Sequence, residues 1–126
     1  QEAVERFRTL PGHPVSGLCG CLGNLARLEW LRGQREAAVR TQSEVVATAA
    51  ALPEVHFLRS VSETNLSYMV AELGDVERAV TLLRSALVRS TQGGRSGEAR
   101  LQQQRLGELL RQLGRADEAD ALDRGR

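Results

Sequence analysis

Two cysteines and two histidines are the residues of this 126-residue chain best suited to metal or redox chemistry. Cys19 and Cys21 are separated by one glycine, and residues two apart on a helix point in divergent directions, so their thiolates do not converge on one ion. No other cysteine completes a zinc site, and His13 and His56 would add ligands only if the fold brought them close. The pattern favours a cysteine packed as a small apolar residue between helices, and we predict no metal site.

No spacing in the sequence predicts a catalytic site. A histidine can act as a general base, but neither histidine has a serine or cysteine nucleophile with an orienting carboxylate at a recognised spacing. The glycine-rich segment 92–97 precedes a predicted helix, yet it lacks the Lys-Ser/Thr ending of a phosphate-binding loop. We interpret it as a flexible connection, and we expect neither enzyme activity nor a cofactor.

The composition is typical of a helical bundle or solenoid. Hydrophobic residues make up 41% and are mainly Leu, Ala and Val, whereas aromatic residues make up only 3%. Leu and Ala favour helices. All 17 basic residues are arginine and are balanced by 16 acidic residues, whereas a nucleic-acid-binding protein normally has a basic excess on one face. No apolar run approaches the roughly 20 residues that cross a bilayer. We therefore expect a cytoplasmic protein without nucleic-acid or membrane partners.

Internal repetition organises the chain. Gly33, Gly74 and Gly114 lie 41 and 40 residues apart, and each is followed five residues later by an alanine. Each glycine is also preceded by a similar tetrad: Leu25-Ala26-Arg27-Leu28, Leu66-Ser67-Tyr68-Met69 and Leu106-Gly107-Glu108-Leu109. The pattern predicts a helix, a turn in which glycine ends that helix, and a second helix whose first carboxylates favour its positive dipole end.

This repetition predicts a single all-α domain over residues 1–126. The predicted helices are 1–10, 16–32, 34–51, 55–73, 75–91, 96–113 and 115–124, with loops at 11–15 and 92–94. The predicted units are a trailing helix of a preceding repeat at 1–10 and repeats at 16–52, 54–92 and 95–124. In the second repeat an apolar stripe of Ala79, Leu82, Leu83, Ala86 and Leu87 would share one helix face. We expect Ala79 and Ala86 to be buried.

The three units resemble tetratricopeptide (TPR) repeats, which are helix pairs of about 34 residues. The longer period here is similar to the extended repeats of kinesin light chains and related bacterial proteins. The segment Gly12-His13-Pro14-Val15, ahead of a helix with Leu22-Gly23-Asn24-Leu25-Ala26, is also similar to that subtype. Ala3 and Phe7 match the family's Ala-x-x-x-Phe. The resemblance implies a right-handed α-solenoid of about three repeats plus a leading half-repeat.

The chain departs from the family pattern at two positions. The family's tryptophan position is occupied by Leu22, Glu63 and Gln103, and its phenylalanine position by Gln42, Leu83 and Asp123. Because the chain begins with Gln1 and the leading half-repeat lacks a first helix, we expect a domain excised from a longer protein.

The candidate binding residues follow from the two asparagines of the chain, Asn24 and Asn65, which lie 41 residues apart at the same register. The resemblance implies that first helices line a concave surface, where such asparagines hydrogen-bond the backbone of an extended ligand. The third repeat has Arg105 at this register. The remaining candidates on this surface are Arg27, Tyr68 and Glu108, then Trp30, Glu72 and Gln112. Alternatively, the asparagines cap or brace the neighbouring helix.

We therefore expect a protein–protein interaction module that binds a peptide or helix of a partner on its concave face. One alternative is the sensor or regulatory portion of a larger bacterial transcriptional or signalling regulator. Another is a homotypic module that forms oligomers through the open ends of the solenoid.

Overall fold

The chain folds into antiparallel helix pairs joined by short turns. A computed structural model describes residues 14–124, and every regular element in that range is an α-helix. The helices are α1 (Val15–Leu31), α2 (Arg35–Ala49), α3 (Phe57–Glu72), α4 (Val76–Gln92), α5 (Ser96–Gln112) and α6 (Ala116–Arg124). They begin and end within two residues of the predicted positions. The predicted helix at 1–10 and His13 lie outside the described residues.

The repeated glycines end the first helix of each pair, as predicted. Gly33, Gly74 and Gly114 have φ values of 81°, 96° and 74°, in the left-handed region that favours glycine. In each turn the residue after the glycine donates its N–H to a carbonyl five residues earlier, at 2.8–2.9 Å. This bond satisfies a carbonyl that the helix end would otherwise leave unpaired, so the helix reverses direction tightly.

The second helices begin with carboxylates, which confirms the other half of the predicted pattern. Glu36, Glu77 and Asp117 each lie in the first turn of a second helix. Asp75 also caps α4, because its Oδ1 accepts a 3.2 Å hydrogen bond from the N–H of Arg78. A negative charge at this end stabilises a helix against fraying.

The connection between α4 and α5 differs from the predicted loop at 92–94. Gln92 is the last residue of α4, and Gly94 has a φ of 73°. Arg95 donates its N–H to the Ser90 carbonyl at 2.9 Å, as in the turns within each pair. Gly94 therefore supplies the same kind of left-handed turn residue as the glycines within each pair.

The longer connection lies between α2 and α3, at residues 50–56, and arginines hold it in place. Three guanidinium groups donate to its backbone carbonyls, from Arg59 to Leu52 at 3.3 Å, from Arg89 to Glu54 at 3.2 Å and from Arg95 to Val55 at 2.7 Å. These arginines come from α3, from α4 and from the turn before α5. These hydrogen bonds hold the connection against the second and third repeats. They therefore fix the position of α3 relative to α2.

The hydrophobic core consists of two clusters. One joins α1 to α2, and the other runs continuously from α3 to α6. Ala79, Leu83 and Ala86 of the predicted stripe are fully buried, which confirms the predicted register of α4. Neighbouring helices pack in chain order, whereas α1 and α3 touch less than either touches α2. The result is an all-α solenoid with a groove between α1 and α3.

Candidate functional site

The groove between α1 and α3 encloses a cavity of about 670 Å³. Such a volume lies within the range of ligand-binding pockets. Six of the nine candidate residues line it: Asn24, Arg27, Trp30, Asn65, Tyr68 and Glu72. We call this cavity and its lining the α1–α3 groove. The repeat register thus brings together residues that are 41 positions apart in the sequence.

Asn24 and Asn65 are exposed in the α1–α3 groove. Neither amide forms a hydrogen bond with another group of residues 14–124. The two residues that follow Asn65 in α3, Leu66 and Ser67, are each 1% exposed, so Asn65 lies beside the packed face of the helix and not on it. Each amide therefore keeps two donors and an acceptor for a ligand.

Two aromatic side chains in the groove each form a cation–π contact with an arginine. The guanidinium carbon of Arg35 lies 4.6 Å from the ring centroid of Trp30, and that of Arg105 lies 5.3 Å from the ring centroid of Tyr68. Cation–π contacts of this kind contribute about 0.5–1 kcal/mol at exposed sites. They hold the rings and the guanidinium groups in defined positions before any ligand arrives.

Two glycines of α1, Gly20 and Gly23, also line the groove. A Cβ atom built at either position meets no atom within 4 Å. Glycine in a helix interior lowers stability by roughly 0.8–1.0 kcal/mol relative to alanine. Since packing does not require glycine at either position, their effect is to leave the backbone of α1 uncovered along the groove.

The remaining three candidates lie on α5, and none lines the α1–α3 groove. Arg105 reaches it indirectly through its contact with Tyr68, and it also forms a 3.3 Å ion pair with Glu108. Gln112 is the last residue of α5 and is exposed. The third repeat therefore contributes mainly by positioning Tyr68.

A smaller cavity of about 270 Å³ lies between α3 and α5. It shares Asn65 and Tyr68 with the α1–α3 groove, and it adds the exposed apolar side chains of Val61 and Leu101. The two cavities are therefore neighbours on either side of one face of α3.

Gln42 of α2 lines the α1–α3 groove and was missed as a candidate. It is only 3% exposed and donates from Nε2 to the Ser62 carbonyl at 3.1 Å. The sequence carries a signal for it, because the matching residue of the next repeat is the fully buried Leu83. A glutamine in an apolar register indicates a buried polar group that needs partners.

Cys19 and His56 serve the packing and capping of helices. Cys19 is 3% exposed in the α1–α2 core, and burial raises the pKa of its thiol. Its Sγ lies 3.9 Å from the Val45 carbonyl, so it packs as a small apolar residue, as predicted. His56 caps α3, since its Nδ1 accepts a 3.1 Å hydrogen bond from the N–H of Leu58.

Across residues 14–124 no three His, Cys, Asp or Glu side chains form a group that could hold a metal ion. In the same range no helix is long and apolar enough to cross a membrane.

Solved structures share this architecture. The crystal structure of BtubC (BKLC) from P. vanneervenii matches 96% of this chain with a TM-score of 0.83 and 22% sequence identity. The crystal structure of nearly identical TPR-like repeats from a candidate kinesin light chain of P. anserina matches 97% of it, with a TM-score of 0.79 and 29% identity. The chain is a TPR-like repeat protein. Its helix pairs, glycine turns and continuous stacking are those of TPR-like solenoids, as the sequence predicted.

The chain spans 49% of the BtubC structure and 63% of the P. anserina structure. No protein-family model and no curated protein sequence matches it, so the relationship rests on structure. Stacked repeats of this kind create extended concave binding surfaces, and TPR-like solenoids generally form protein–protein interaction modules.

Proposed function

We propose that the α1–α3 groove is the binding site for a peptide segment of a cytoplasmic partner protein, on the concave face of the solenoid. The observation that carries this proposal is the pair of asparagines at matching positions of consecutive repeats. Both amides are exposed in one cavity and have no hydrogen-bond partner within residues 14–124. An extended peptide presents N–H and C=O groups at regular intervals, and an asparagine amide can pair with both.

The charges and rings of the groove support a preference among peptides. Arg27 lines the groove without an ion pair to residues 14–124, and Arg105 lies beside it on Tyr68. Both favour carboxylate groups in the ligand. Trp30 and Tyr68 add apolar surface, which aromatic residues commonly provide at the centre of protein interfaces.

The test begins with random peptides displayed on phage and selected against the whole chain. Affinities of selected peptides are then measured by calorimetry for the wild type, Asn24→Ala and Asn65→Ala, with thermal melts of each protein. We expect each variant to lose roughly 5- to 150-fold in affinity, as a lost buried amide contact of about 1–3 kcal/mol implies. The melting temperatures should stay close to that of the wild type.

Gln104→Ala serves as the control, because Gln104 is an exposed amide on α5 outside the groove. It should change neither affinity nor stability. If the asparagine variants unfold readily while their affinity per folded molecule is unchanged, the asparagines are braces and the groove is misplaced.

A further inference from the structure

Gln42 is a buried amide whose orientation is fixed by one hydrogen bond. The Ser62 carbonyl can only accept, so the group 3.1 Å from it must be the Nε2 donor of Gln42. The other atom of the amide, Oε1, therefore points away from the Ser62 carbonyl. Gln42 occupies a core position of its repeat, because the matching Leu83 is fully buried.

The Oε1 atom of Gln42 accepts no hydrogen bond from residues 14–124. Gln42 lines the α1–α3 groove, and its Nε2 uses one of its two N–H groups on Ser62, so Oε1 and the second N–H are the polar groups it leaves without a partner in this range. The residue is 97% shielded from solvent, so its side chain belongs to the buried part of the groove lining. Gly20 and Gly23 line the same cavity without a side chain.

The surroundings decide which ligand group suits this position. A carboxylate would place acceptor against acceptor at Oε1, and a hydrocarbon would cover Oε1 without giving it a donor. A cation would be disfavoured, because two positive side chains, Arg27 and Arg35, line the cavity and only one carboxylate, that of Glu72, opposes them. The ligand group must therefore be uncharged and must carry an N–H or O–H donor.

A carboxamide satisfies these conditions and uses the asparagines as well. Its NH₂ group donates to Oε1 of Gln42, and its carbonyl accepts from the amide of Asn24 or Asn65. We propose that the floor of the α1–α3 groove is a subsite for the carboxamide side chain of a glutamine or asparagine in the partner segment. This inference rests on the proposed peptide-binding function and adds the identity of its anchor residue.

Peptides selected on the wild-type chain are sequenced and aligned. The measured quantity is the enrichment of each residue type at the position that the peptides share. We expect glutamine or asparagine there. Synthetic versions of one selected peptide then replace that residue by methionine, which has a similar length, or by the matching carboxylate. Each should bind the wild type at least about tenfold more weakly, as the loss of a buried hydrogen bond predicts.

The protein-side test is Gln42→Met, which removes the acceptor. The ratio of affinities for the carboxamide and methionine peptides should fall from about tenfold or more to near one. Because both peptides are measured on the same variant, any loss of folded protein cancels. Gln102→Met is the matched control: Gln102 is also a 97% buried amide, but it lines the neighbouring α3–α5 cavity and not this groove, so it should leave the ratio unchanged.

The outcomes separate the two proposals. Enrichment of an aromatic, apolar or charged anchor, or an unchanged ratio in Gln42→Met, overturns the carboxamide subsite. The proposed function still stands in that case, provided Asn24→Ala weakens both peptides. If no selected peptide depends on Asn24 or Asn65, both proposals fall. Should Gln42→Met fail to fold, the peptide series on the wild type decides alone.

Discussion

Adding a single methyl group to the backbone of α1 should raise stability and weaken binding at the same time. Gly23 lies in the interior of α1 and lines the α1–α3 groove. Alanine has a higher helix propensity than glycine by roughly 0.8–1.0 kcal/mol. The added Cβ meets no atom within 4 Å, so no steric cost offsets that gain.

We therefore expect Gly23→Ala to raise the free energy of unfolding by about 1 kcal/mol. For a chain of this size that corresponds to a rise of roughly 3–6 °C in Tm. The same methyl group occupies space in the groove, so affinity for a groove-binding peptide should fall. Leucine at this position extends further into the cavity and should lower the affinity more.

Gly107→Ala is the matched control. Gly107 lies in the interior of α5, has equally open space around its Cβ position, and does not line the α1–α3 groove. It should give the same rise in Tm without a change in affinity. Chemical denaturation measures the first quantity and calorimetric titration the second. A fall in the stability of Gly23→Ala, or equal affinities of both variants, would refute the reasoning.

Three further results are expected from residues outside the groove. Ala79→Leu should lower the free energy of unfolding by about 1–3 kcal/mol, because it overpacks a fully buried position. Thr81→Leu, on the exposed face of α4, should lower it far less. Equal unfolding free energies of the two variants would mean that the helix register is wrong. Cys19 should react with a thiol reagent only as fast as the chain unfolds, because burial raises the pKa of its thiol and shields it. The partly exposed Cys21 should react at once. Early modification of both cysteines would contradict the packing. The hydrogen bond and charge of Arg115, together with the charge of Arg84 on α4, lower the pKa of Glu118, so ionised Glu118 stabilises α6 above the ordinary glutamate range and loses that effect as acid protonates it. Hydrogen exchange corrected for intrinsic rates should show α6 loosening between about pH 6 and pH 3, and protection that does not change over this range would count against it.

The sequence predicted the elements that depend on local chemistry. The glycine turns and the buried alanine stripe follow from backbone freedom and helical periodicity, and both are confirmed at Gly74 and Ala79. The loop at 92–94 was predicted to within one residue, but its tight turn was not, because paired glycines suit a flexible linker as well as a tight turn. Contacts with distant parts of the chain distinguish these possibilities, such as the hydrogen bond from Arg95 to the Val55 carbonyl in the α2–α3 connection.

The polar interior could not be predicted, because it depends on how distant side chains align. Glu63, in place of the family's tryptophan, is buried with a 2.8 Å ion pair to Arg89 and a 2.6 Å hydrogen bond from Ser85. Gln42 likewise finds its partner on another helix. The asparagine pair was accessible to sequence reasoning because it repeats with the period of the fold. A single buried glutamine has no such repetition.

The most direct measurement uses Trp30, the one tryptophan of the chain, which lies in the α1–α3 groove. A selected peptide without tryptophan is titrated into the wild type, the Asn24→Ala/Asn65→Ala double variant and Gln104→Ala. Saturable changes in Trp30 emission should give equal dissociation constants for the wild type and Gln104→Ala and a much weaker one for the double variant. If the peptide binds calorimetrically with wild-type affinity to the double variant and leaves Trp30 emission unchanged, the partner binds elsewhere and the central claim is wrong.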